Sequence, residues 1–129
     1  MKIDRRTLAG GIAAVLFTAS AAFAAERMPG MYGLIGKMTA QPGQRAGLAQ
    51  ILNDGVAGMP GCLSYVIAND PANPDLLWIT EVWASKAAHD ASLSLPSVRD
   101  AITRGRPLIA AMDTVAETSP IGGSGLDKR

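Results

Sequence analysis

The residues best suited to chemistry in this 129-residue chain are crowded into one stretch, where Glu81, Trp83 and the only histidine, His89, follow one another closely. A free imidazole titrates at about 6.5, which suits it to proton transfer; a carboxylate such as Glu81 could do it only if burial raised its pKa. Trp83 can stack on an aromatic ring and donate one N–H, and Tyr65 could supply a hydroxyl. His89 and Glu81 are therefore candidate catalytic groups, and Trp83 and Tyr65 candidate substrate contacts. A buried carboxylate is costly unless paired, so Arg104 or Arg106 could neutralise Glu81, or Arg106 could hold a substrate anion. Each residue also has a plainer reading. His89, flanked by Lys86 and Asp90, could be a surface or capping histidine, and Trp78 and Trp83 could be core or interface anchors.

These residues need a strand and a helix to position them. Leu76 to Trp83 reads as an apolar strand in which Leu77, Ile79, Glu81 and Trp83 share one face and Leu76, Trp78, Thr80 and Val82 the other. Glu81 and Trp83 thus point the same way, into either a pocket or a subunit seam. Ser85 is a suitable N-cap for a helix over Lys86 to Leu93, and Pro96 suits the first turn of a second piece running through Val98, Ile102 and Leu108. Upstream, Met31 to Ala40 reads as a first strand ended by Gln41-Pro42-Gly43. Leu48, Ile51, Leu52 and Val56 then recur at helical spacing between Gln44 and Gly58. Cys62 to Ala68 reads as a second strand, joined through the turn formers of Asn69 to Asp75 to the third as a hairpin. Ile109 to Glu117 supplies a fourth.

The order strand, helix, strand, strand, helix, strand is the split βαβ arrangement, an α+β fold with an antiparallel sheet and both helices on one face. The other sheet face is left bare, which points to a homodimer. The chain divides into an export signal (1–24), a linker (25–30), the α+β domain (31–118) and a loose tail (119–129). Lys2, Arg5 and Arg6 give the signal its basic start, Leu8 to Phe23 its apolar run, and Ala22-Phe23-Ala24 a cleavage site. Asp4-Arg5-Arg6-Thr7-Leu8 resembles the twin-arginine motif, with general secretion as the alternative route and an uncleaved anchor as the alternative fate. The expected location is exported, periplasmic or secreted from a bacterium, with no stable membrane insertion after cleavage.

Losing Lys2, Arg5, Arg6 and Asp4 from the twelve bases and eleven acids leaves nine bases and ten acids. That balance, with no basic stripe, argues against nucleic acid and for a small-molecule ligand or a protein partner. One cysteine and one histidine cannot build a metal site of the usual ligand count from soft donors, so no metal is expected. Cys62 stands among apolar neighbours and reads as a packed, inert thiol.

From about Met31 to Glu117 the chain resembles the antibiotic biosynthesis monooxygenase (ABM) domain family, of the quinol monooxygenase type. Met59-Pro60-Gly61-Cys62-Leu63-Ser64-Tyr65 and Glu81-Val82-Trp83 leading into the helix of His89 carry the resemblance. It implies ferredoxin-like protomers forming a dimeric α+β barrel, and oxygenation of quinols or polyphenols without metal, flavin or haem. Many relatives place a histidine nine residues after the tryptophan that ends the third strand. Ser92 stands there in this chain, and His89 lies one turn earlier on a similar facing; Ser92 joins the candidate substrate contacts, with Arg106. Gly36, Lys37, Ser92 and Ile102 stand near the places that carry Asn, Trp and His in the haem-degrading branch, which disfavours that activity. Two functions follow: a cofactor-independent monooxygenase acting on a quinol or polyphenol-like aromatic, or a noncatalytic exported dimer that binds a small aromatic or apolar ligand.

Overall fold

The computed structural model describes residues 30–126. The chain divides into units Met1–Gly30 and Met31–Arg129, and the architecture below is that of the second. The expected export signal and linker therefore lie outside the described residues, apart from Gly30. The element order is β1 (Tyr32–Ala40), α1 (Arg45–Gly55), β2 (Cys62–Asn69), β3 (Leu76–Trp83), α2 (Lys86–Ser92), α3 (Pro96–Gly105), a 3-10 turn (Arg106–Leu108) and β4 (Ile109–Thr118). The strands form one sheet in the order β2-β3-β1-β4, antiparallel throughout. This is the α+β ferredoxin-like arrangement read from the sequence.

Turn chemistry sets the boundaries. Gly43 and Gly58 adopt φ +77° and +71°, the left-handed region that glycine enters without strain. Helix α1 stops at Gly55, three residues short of the expected end, because Val56 to Gly58 form the turn that Gly58 closes. The second helical region breaks where Pro96 begins α3, and it breaks again at Pro107, which has no N–H to continue the helix. Ser85 caps α2, its hydroxyl accepting the Ala88 N–H at 3.1 Å. The β2–β3 loop is built on Asp70. Its Oδ1 accepts the N–H groups of Ala72 and Asn73 at 2.8 Å each, and its Oδ2 accepts the Trp78 indole N–H at 2.8 Å. Arg45 reaches over from α1 to the carbonyls of Asp70 and Asn73, at 3.1 and 2.7 Å.

The core lies between the helices and one sheet face. Met38, Ala40, Leu48, Leu77 and Ile79 form it, with Leu52, Ile67 and Leu108 packed around them. Gly55 lets α1 approach α3 closely, since a Cβ there would stand 2.5 Å from Ala101 Cβ. The opposite sheet face carries Ile35, Lys37, Trp78, Thr80, Val82 and Val66, with Lys37 Nζ 5.3 Å from the Trp78 ring. Val66 there is exposed, and Ile35, Trp78 and Val82 are half-buried.

Candidate functional site

Strand register decides where Glu81 and Trp83 point. Leu34 of β1 and Tyr65 of β2 flank Glu81 as Cα partners, while Tyr32 and Cys62 flank Trp83. Trp83, Glu81, Ile79 and Leu77 are buried on the face that packs against Leu48 of α1. The face shared by Glu81 and Trp83 is thus the helix-covered one and not the bare one.

Helix α2 brings His89 over this row of side chains. His89 Nε2 lies 3.8 Å from Glu81 Oε2, with the two side chains 16% and 8% exposed. Its other nitrogen, Nδ1, is 3.1 Å from Asp90 Oδ1, and Lys86 Nζ holds the same carboxylate at 3.1 Å. The ring is fixed between two aromatics: Tyr32 lies 5.2 Å away at a 50° tilt, and Trp83 lies 5.5 Å away edge-on at 84°. Tyr32 is in turn anchored by its hydroxyl, which donates to Glu117 Oε1 at 2.8 Å.

A cavity of about 250 Å³ opens beside this group, lined by Glu81, His89 and Tyr65 and by Leu34, Met38, Ile79, Leu93 and Met112, with Gly36, Lys37, Asp113 and Thr114 on the β1–β4 side. Of the six site residues read from the sequence, Glu81, His89 and Tyr65 line it. Trp83 stands behind His89 and does not line the cavity. Ser92 is buried, and its hydroxyl donates to the His89 carbonyl at 2.6 Å. Arg106 is exposed in the 3-10 turn, away from the lining. Arg104 pairs with Asp100 at 2.8 Å, so the partner facing Glu81 is His89 and neither arginine.

Burial drives the electrostatics. It pushes the Glu81 carboxyl above its ordinary range, and the nearby His89, the Tyr65 hydroxyl and the Trp83 indole partly offset that rise. Tyr65 is held well above the usual phenol range, first by burial and then by the negative charge of Glu81, so it stays a hydrogen-bond donor. Burial and the Glu117 hydrogen bond push the Tyr32 phenol up to about 12. Glu81 Oε2 and Trp83 Nε1 are buried, and among the described residues no hydrogen bond of good geometry satisfies either. At 3.8 Å, the Glu81–His89 gap is itself too long for a hydrogen bond. Among the described residues, no three His, Cys, Asp or Glu side chains cluster so as to hold a metal ion.

The family model for antibiotic biosynthesis monooxygenases matches residues 31–104. The chain belongs to the antibiotic biosynthesis monooxygenase family. A crystal structure of an ABM-family protein from Chloroflexus aurantiacus J-10-fl is similar at 66% identity, covering 74% of this chain and 98% of that one, with a TM-score of 0.72. Two structures of lower identity share the fold: an antibiotic biosynthesis monooxygenase-like protein from Caulobacter crescentus CB15 at 21% identity (73% and 92% coverage, TM-score 0.66), and a protein from Pseudomonas aeruginosa at 24% (74% and 98%, TM-score 0.64). No curated protein matches the chain. Family and relatives together support a monooxygenase-like role in general terms.

Tyr32, Leu34, Asp90, Leu93 and Met112 are site residues that sequence reasoning did not single out. Period-two alternation does place Tyr32, Leu34 and Met38 on one face of β1. Bringing that face against Glu81 and Trp83 needs the β1–β3 pairing, which joins strands distant in sequence.

Proposed function

We propose that this ABM protein is a cofactor-independent monooxygenase that oxidises a quinol or polyphenol-like aromatic with molecular oxygen. The observation that supports this reading most is the Glu81–His89 pair, set among apolar side chains at the buried end of a cavity of about 250 Å³. With Nδ1–H assigned as donor to Asp90, His89 presents the Nε2 lone pair toward Glu81. A substrate hydroxyl bound in the cavity gives its proton to Nε2, and Glu81 stabilises the imidazolium formed. Donation from Tyr65 holds the quinol anion, which is electron-rich enough to reduce oxygen. Overall, a hydroquinone and one oxygen molecule give a hydroxyquinone and water; one oxygen atom enters the ring and the other leaves as water. In the same reading the mature chain is exported and works as a homodimer.

The test is turnover of reduced quinols by chelator-treated protein under isotopically labelled oxygen. One labelled atom in the product, formed faster than by autoxidation, is expected. Thermal stabilisation by the same compounds without oxygen uptake would identify a noncatalytic binding module instead.

A further inference from the structure

The cavity holds its titratable pair at the buried end, beside the buried Met38 and Ile79, and carries two large apolar side chains at its rim, next to the exposed Asp113 and Thr114. Its buried end carries Glu81, with Tyr65 and His89 beside it, whereas Leu93 is 51% exposed and Met112 65% exposed. Single exposed apolar side chains are common and need no explanation. These two differ because both line the same cavity from unconnected elements, Leu93 at the C-terminal cap of α2 and Met112 within β4. The rim thus offers apolar surface to any substituent that leaves the cavity past Leu93 and Met112.

Size sharpens the argument. A cavity of about 150 Å³ already admits benzene. The volume of about 250 Å³ therefore holds one ring with its hydroxyls and leaves no room for a long substituent. A chain on that ring would have to leave past Leu93 and Met112.

We infer that the preferred substrate is a hydroquinone bearing a long apolar side chain, with the dihydroxy ring bound at Glu81, His89 and Tyr65 and the chain lying across Leu93 and Met112. This rests on the quinol reading above and adds the class of quinol. Each methylene covered contributes roughly 0.8 kcal/mol, about fourfold in affinity, so partial cover of a chain is enough to dominate selection between quinols sharing one ring.

The experiment compares methylhydroquinone with decylhydroquinone, the latter kept below its micelle concentration. Affinity is measured without oxygen by quenching of tryptophan fluorescence, and kcat/KM with oxygen. The expected result is affinity at least about tenfold tighter for the decyl compound, appearing in KM when turnover is followed. In Leu93→Ser/Met112→Ser that ratio falls toward one. Anaerobic preference without turnover would sink the monooxygenase reading and leave this inference standing. Turnover of both compounds with no preference would do the reverse. A preference that survives in the double variant, or a variant whose oligomeric state changes while its ratio does not, overturns the role given to Leu93 and Met112.

Discussion

His89 is useful because its neighbours leave it one place to act. Tyr32 and Trp83 fix the plane of the ring, and Asp90, itself held by Lys86, engages Nδ1, so Nε2 is the nitrogen turned toward Glu81. Asp90 is a positioning residue at a half-exposed site. Asp90→Asn is expected to lower kcat by about one order of magnitude, far less than the roughly 10⁴ lost when a buried orienting aspartate is changed; steady-state oxygen uptake measures it. Glu81 makes a second prediction through stability. Burial raises its pKa in the folded state, so its contribution is fully present below the unfolded value and is lost as pH rises through the folded one. Glu81→Gln should therefore raise the melting temperature at pH 7 relative to wild type and give no such gain at pH 4. Thermal unfolding at both pH values decides; equal shifts at both would contradict the assigned cause. Glu81 and His89 were legible as candidates because a carboxylate in an apolar strand and a lone histidine are unusual residues. Their contact was not, since it depends on the turn between β3 and α2.

That turn shows how elements carry the site. Gly61, just before β2, has φ +78°, and a Cβ there would stand 2.6 Å from Ala88 Cβ on α2. Gly61→Ala is expected to lower stability by more than about 1 kcal/mol and to lower kcat as well, because α2 must shift and takes His89 with it. Leu48, with no exposed surface, anchors α1 to the sheet, and Leu48→Ala should cost about 2–5 kcal/mol in urea unfolding. All four strands and the break at Pro96 could be read from apolar period and turn formers, because these are local signals. Helix ends were less legible. Gly58 and Pro107 act through backbone geometry that periodicity does not register, so α1 ends early and the segment before β4 tightens into a 3-10 turn. The substrate role read for Ser92 rested on the position of a histidine in relatives and that for Arg106 on its charge, and neither side chain is among those lining the cavity.

Among the described residues no helix covers the second sheet face, which carries Ile35, Trp78, Val82 and the exposed Val66. Homodimerisation through that face is proposed. Val66→Lys is expected to shift the protein from dimer toward monomer in sedimentation velocity, and an unchanged dimer would place the interface elsewhere. The cavity lies on the other face, so pairing through the bare face would leave the Glu81–His89 pair intact. Whether that pair performs oxygen chemistry is tested most directly by oxygen consumption with a reduced quinol, comparing metal-free wild type with His89→Ala. Loss of roughly 10²–10⁴-fold in rate with the fold retained is the expected result for a proton-abstracting imidazole. A wild-type rate no faster than autoxidation, or a variant as fast as wild type, would contradict it.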